Sequence, residues 1–124
     1  QKSYDPKAAV LIEKQIGRQL MHNGAYKEGQ IKFYSPNEIK VAINADAPGF
    51  LVLSELWYQG WKAYDNGKET EILRGNYIFR TIYIDEGQHE IRFVYKPLTF
   101  SIGILVTITT FILLIGYLFL FREL

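Results

Sequence analysis

Hydrophobic patterning divides the chain into three stretches. In the first, "DPKAAVLIEKQIGRQLMHNG", apolar residues recur at Ala8, Ile12, Ile16 and Leu20. Asp5 stands as an N-cap, Pro6 at the first helical position and Asn23-Gly24 as a C-cap, which fits one helix over residues 6–22. The segment "AAVLI" also fits a short strand, and Gly17 weakens a helix interior by about 1 kcal/mol relative to Ala. Both readings stand for this segment. From Gln30 the period changes to two. "IKFYS" leads to the turn signal Pro36-Asn37, and "EIKVAINA" then sets Ile39, Val41 and Ile43 against Lys40, Ala42 and Asn44. After Pro48-Gly49 the nearly continuous apolar run "FLVLSELW" suits a central strand. "WKAYDNGKETEIL" reads as a hairpin whose Asn66-Gly67 pair supplies positive backbone angles. "YIFRTIYID" and "HEIRFVYK" follow, separated by the turn "EGQ".

About seven short strands, with turn signals roughly every ten residues, describe an antiparallel β-sandwich or small barrel. The sandwich is taken as the fold of residues 30–97, with residues 1–29 packing on the sheet as a strand or short helix. Trp57 is expected to share a face with Leu51, Leu53 and Glu55. Gly60 then permits a bend that re-aims Trp61 and Tyr64. Glu55 and Arg80 fall on neighbouring strands and are expected to form a structural ion pair.

The third stretch, "LTFSIGILVTITTFILLIGYLFLF", runs from 98 to 121 without a charge. As a helix it reaches roughly 36 Å, against a hydrocarbon core of about 30 Å. The 97 residues before it are too few to wrap it on all sides, so a C-terminal transmembrane helix is expected, with residues 122–124 as a tail. Lys96 and Arg122 bracket the span, so charge leaves its orientation open. Gln1 follows neither a methionine nor a signal-peptide pattern, so a mature chain or the tail of a longer one is expected.

Composition narrows the chemistry. The chain has 14 basic and 13 acidic residues, a balance that offers no field for nucleic acid. It contains no cysteine, so thiolate chemistry and disulfides are excluded. His22 and His89 stand at no metal-ligand spacing, and Ser3, Ser35, Ser54 and Ser101 lie in no nucleophile-elbow pattern. The pairs Glu69 with Glu71 and Asp85 with Glu86 fall at a hairpin and a turn, where carboxylates are ordinarily solvated. No catalytic or metal-binding residue is assigned.

The aromatic stretch is the informative one. Rings at a sheet's bend can stack on a sugar or rest at lipid headgroups; rings on the inner face close the core of a small sandwich. A domain this small needs large side chains inside, so Trp61 is placed in the core and Trp57 and Tyr58 at a contacting rim. The candidate ligand contacts are Trp57, Tyr58, Trp61, Tyr64, Asn76 and Arg80.

The run from Phe50 to Pro97, followed directly by an apolar span, resembles the C-terminal end of the YfhO family of bacterial multi-pass membrane proteins. That family carries "SE-x-YY-x-GW-x-AY-x-DGKE", then "R-x-NY-x-FR", then "GxHxIxFxYxP" and a final transmembrane helix. Here the first pattern falls on Ser54, Glu55, Tyr58, Gly60, Trp61, Ala63, Tyr64, Gly67, Lys68 and Glu69. The second falls on Arg74, Asn76, Tyr77, Phe79 and Arg80, and the third on Gly87, His89, Ile91, Phe93, Tyr95 and Pro97. The departures are Trp57 in the aromatic pair, Gln59 before the Gly-Trp, and Asn66-Gly67 for the family's "DG" turn. The resemblance implies that "AVLIEK" is a strand with a short helix after it. It further implies a GT-C-like glycosyltransferase that uses a polyprenyl-phosphate sugar and modifies a cell-envelope polymer outside the bacterial cytoplasmic membrane. The acidic catalytic residue of such an enzyme lies upstream of this segment. This chain would be its accessory β-domain and terminal anchor, with the bilayer, the upstream transmembrane region and a glycan acceptor as partners. The alternative is a single-pass anchored binding or structural module with no enzymatic activity.

Overall fold

The computed structural model describes residues 10–13 and 26–122. Eight strands precede one long helix: β1 (Gln30–Ser35), β2 (Glu38–Ala45), β3 (Gly49–Leu56), β4 (Trp61–Asp65), β5 (Lys68–Thr70), β6 (Leu73–Gly75), β7 (Phe79–Ile84), β8 (Gly87–Tyr95) and α1 (Leu98–Phe121). They form two antiparallel sheets, ordered β1-β2-β8-β4-β5 and β3-β7-β6. The antiparallel sandwich and the C-terminal apolar helix expected from the patterning are both present. The strand beyond the expected seven arises because the second arm of "WKAYDNGKETEIL" is broken. It pairs with β4 as far as Thr70, passes through Glu71-Ile72, and continues as β6 in the other sheet.

Alternation places the core. Ile39, Val41, Ile91, Phe93 and Ala63 of the five-stranded sheet face Leu51, Leu53, Ile82 and Ile84 of the other. Phe93 is fully buried, and burial of such a ring contributes about 3 kcal/mol. β8 is central because it pairs along nearly its whole length, with β2 on one side and β4 on the other. The expectation of a central strand at "FLVLSELW" is corrected: β3 is an edge of its sheet and β7 is the central strand. Its outer apolar residues have another explanation, since Phe50 sits opposite Tyr83 and meets its ring edge-on at 5.8 Å. The β3–β7 register slips between Leu53 and Leu56, yet burial goes on alternating as expected, with Leu51, Leu53, Glu55 and Trp57 on the more buried side and Ser54, Leu56 and Tyr58 exposed.

Two turns fix the connections. Asn66 and Gly67 both have positive φ, as the sequence predicts for the β4–β5 hairpin. The β6–β7 turn has the same form without a glycine at either central position. Asn76 (φ 48°) and Tyr77 (φ 69°) are both left-handed, and the Ile78 amide donates to the Gly75 carbonyl at 3.2 Å.

Asn76 also binds the N-terminal segment. Its side-chain oxygen accepts from the Leu11 amide at 3.0 Å, and its own amide donates to the Leu11 carbonyl at 2.7 Å. Ile12 adds an antiparallel bridge to Gly75. Gly75 has to be glycine at this crossing, because a Cβ would fall 2.0 Å from Thr81 Oγ1 and 2.9 Å from Val10. The helix-or-strand alternatives for residues 6–22 lie outside the described residues, apart from residues 10–13 with their single bridge at Ile12.

α1 buries no residue against the β-domain and is long and apolar enough to cross a membrane. Its mid-span hydroxyls are satisfied internally. Thr107, Thr109 and Thr110 each donate to the carbonyl four residues back, at 2.8 to 2.9 Å, as an apolar surrounding requires.

A bulky residue in the left-handed region is strained by about 1 to 2 kcal/mol, part of which a glycine gives back through unfolded-chain entropy. Tyr77→Gly is therefore expected to stabilise the chain by up to about 1 kcal/mol. Urea unfolding checks this, and a loss of stability would show that the Tyr77 ring packs within the domain.

Candidate functional site

The connection between β3 and β4 carries the aromatic stretch, and one glycine sets its path. Gly60 adopts φ +107°, and a Cβ there would sit 3.0 Å from the Tyr95 ring and 3.1 Å from Pro97 Cα. The Gly60 carbonyl accepts from the Lys96 amide at 2.6 Å. The bend predicted at Gly60 therefore rests directly on the residues from which α1 departs.

Past the bend, Trp61 is half-buried against the core. Its ring lies 5.3 Å from that of Tyr95, which in turn lies 6.3 Å from Tyr58. The Arg80 guanidinium stacks on Trp61 at 3.8 Å from the indole and lies 5.9 Å from the Phe93 ring. Arg80 comes from β7, whereas Trp61 and Phe93 come from the other sheet, so this cation joins the two layers. It is only 3% exposed.

The Nη2 of Arg80 reaches Glu55 Oε2 at 3.5 Å, which is the ion pair expected between these residues. Tyr34 donates to the other Glu55 oxygen at 2.8 Å. Among the described residues, Arg80 Nε and Nη1 meet no acceptor. Burial pushes the Arg80 guanidinium below its ordinary value, with Glu55 opposing the shift; the stacked rings compensate part of the lost hydration. The bond to Glu55 holds the Tyr34 hydroxyl above its usual range.

A groove of roughly 350 Å³ opens over this cluster. Trp57, Tyr58, Gln59, Gly60 and Trp61 form its floor, and Glu69, Thr70, Glu71 and Ile72 form the facing wall. Lys62 bridges floor to wall through a 2.9 Å ion pair with Glu69, which raises the Lys62 pKa. Trp57 is held by Arg74, whose guanidinium lies 3.9 Å over the indole, and by its amide donating to the Ile78 carbonyl at 2.6 Å. Tyr58 is 64% exposed.

The structure thus brings Trp57, Tyr58 and Trp61 together around one groove and puts Arg80 beneath it. Tyr64 stands apart from the groove lining, with Lys96 Nζ 5.9 Å from its ring centroid. Asn76 belongs to the turn that holds Leu11. Sequence reasoning missed the wall. Glu69 and Glu71 read as solvated carboxylates because nothing local shows the chain passing from one sheet to the other at Ile72. The supporting roles of Tyr95 and Arg74 were equally invisible, although both lie in the patterns that carry the family resemblance.

At the opposite end of the sandwich His89 ties two turns together. Its Nδ1 lies 2.8 Å from both Asp65 carboxylate oxygens and its Nε2 lies 2.9 Å from the Asp85 carbonyl oxygen. No group of three or more His, Cys, Asp or Glu suited to a metal ion occurs among the described residues.

A two-layer antiparallel β-domain, joined by two residues to an apolar helix of membrane-crossing length, defines a membrane-anchored β-module. The family model described as bacterial membrane protein YfhO matches residues 14–107, more than half of the chain. The chain belongs to this family, and it is a membrane protein. No curated protein matches the chain, and no solved structure does.

Removing either partner of the Trp61–Arg80 stack should unsettle the join between sheets. Both variants leave the part-exposed Glu55 without its cation, but Arg80→Ala also leaves a cavity and is expected to lose about 3 kcal/mol, whereas Arg80→Met fills the space and stays within about 1 kcal/mol of the parent. Urea unfolding of the two variants checks this, and equal losses would mean that the charge itself is required.

A second expectation concerns acid. The Arg92 side chain donates to Glu38 and holds its carboxyl below the usual range, with burial opposing and Lys40 assisting. A carboxylate with a lowered folded pKa stabilises above its unfolded pKa, and that contribution is lost as pH falls through the folded value. Glu38→Gln should therefore flatten the acid limb of the stability–pH curve, followed from neutrality to about pH 2, and converge with the parent at the acid end.

Proposed function

We propose that this chain is the accessory β-domain and terminal anchor of a GT-C-like glycosyltransferase. The parent enzyme uses a polyprenyl-phosphate sugar as donor and modifies a cell-envelope glycopolymer, with the β-domain on the extracytoplasmic side of the bacterial cytoplasmic membrane. One observation carries this reading: aromatic rings and polar side chains line one groove at the root of the membrane helix. Exposed rings take the apolar face of a sugar, and flanking carboxylate, amide and ammonium groups take its hydroxyls. Tyr58 and Trp57 offer the rings, and Gln59, Lys62 and Glu69 stand beside them.

In this reading the domain holds the acceptor glycan while the transferring chemistry belongs to the upstream transmembrane region. The donor is a substrate of that region, and no residue of this chain is assigned to it. The polar groups of the groove then act by binding and orienting.

Trp61 is a poor probe, because its loss uncovers the buried Arg80. Tyr58 is the better one. In the intact parent enzyme, Tyr58→Ala is expected to raise the acceptor KM roughly fivefold to tenfold with kcat held, in keeping with about 1 kcal/mol for one ring contact. Unchanged kinetics with the domain folded would remove the glycan role and leave the anchored structural module.

A further inference from the structure

The two ends of the sandwich differ in chemistry. Strand register fixes which connections share an end. At one, Tyr95 pairs with Trp61 and Val94 with Glu38, while Leu56 and Gly75 both pair with Phe79. This end carries the connections 36–37, 57–60, 71–72, 76–78 and 96–97. Their one acidic residue is Glu71, in the lining of the groove, and Lys96 is their one base. Leu56, Tyr58, Tyr77 and Ile78 are all exposed there. The opposite end carries connections 46–48, 66–67 and 85–86, which hold Asp46, Asp85 and Glu86 and no aromatic residue.

The apolar end is also the one from which α1 leaves. Only Lys96 and Pro97 separate β8 from the helix. Two residues span at most about 7 Å, comparable with the roughly 5 to 8 Å of headgroup layer on each side of the hydrocarbon. The Lys96 amide is bonded back to Gly60, so the junction is tied to the domain.

Tyr77 supplies an independent sign. Its ring is 67% exposed while its backbone is held at φ 69°, where Gly or Asn would sit without strain. Packing inside the domain does not account for a tyrosine at such a position.

We propose that this end is a membrane-docking face. Leu56, Tyr58, Tyr77 and Ile78 sit in the lipid headgroup layer of the bilayer that α1 crosses, with Lys96 at the level of the lipid phosphates. Amphipathic rings with an apolar body and a hydroxyl tip are suited to that layer. The acidic end faces away from the lipid. This docking stands whether or not the groove binds a glycan, and it makes the groove open beside the headgroups.

The chain has no cysteine, so one can be placed at will. The full chain carrying Ile78→Cys or Glu86→Cys is labelled with a nitrobenzoxadiazole dye. It is then reconstituted in phosphatidylcholine vesicles containing a lipid with a nitroxide on its headgroup. Quenching is expected to be several-fold stronger at position 78 than at 86. Equal quenching, or stronger quenching at 86, overturns the proposal.

The unlabelled chain gives a second reading that no variant's misfolding can spoil. Its two tryptophans, Trp57 and Trp61, both lie at the docking end. Their emission should fall in the nitroxide vesicles, and emission unaffected by the nitroxide also overturns the proposal. Neither readout depends on glycan binding, so the failure of one idea is distinguishable from the failure of the other.

Discussion

One long side chain packed between two sheets is the constraint on which this small domain depends. Arg80 enters from β7 and is covered by the Trp61 indole and Phe93 of the other layer, with Glu55 at its rim. A guanidinium removed from water needs a ring face or a carboxylate beside it, and here two rings and one carboxylate supply both. That requirement fixes where Trp61 stands. Trp61 and Gly60 then fix the floor of the groove and the departure of the helix.

The organisation of the ends follows from the same connection. Because Gly60 rests on Pro97, the aromatic bend and the root of α1 form one body. The domain is therefore held close to its bilayer without a flexible linker. The turn at Asn76-Tyr77 projects from the same end, and its asparagine holds Leu11 while its tyrosine points outward. Structural and surface roles are thus divided between adjacent residues of one strained turn. Asp46, Asp85 and Glu86 lie in connections at the far end, where His89 ties Asp65 to the Asp85 turn and charge is well solvated.

Much of this was legible in the sequence because it is periodic. Alternation at Ile39, Val41 and Ile43, the Asn66-Gly67 turn and the uninterrupted apolar stretch from Leu98 each follow from local chemistry. The Glu55–Arg80 pair was also foreseen, because the two residues fall on adjacent strands. Other features escaped. The exposure of β3 as an edge was hidden, since its outer apolar residues answer to a cross-strand pair with Tyr83 and not to burial on both sides. The register slip after Leu53 was hidden too, because it leaves no mark on composition. The candidate site divided along the same line. Trp57, Tyr58 and Trp61 met at one groove, Asn76 turned out to hold the N-terminal segment, and the wall of Glu69 to Ile72 went unnoticed.

The sequence by itself determined that this is a β-rich domain carried on a membrane helix, since periods of two and uncharged length are properties of neighbouring residues. Tertiary structure alone decided which strands share a sheet, that Arg80 lies beneath Trp61, and that Tyr58, Tyr77 and Ile78 meet at one end. Those are contacts between residues distant in the chain, set by how two sheets close over one another, and no local pattern encodes that closure.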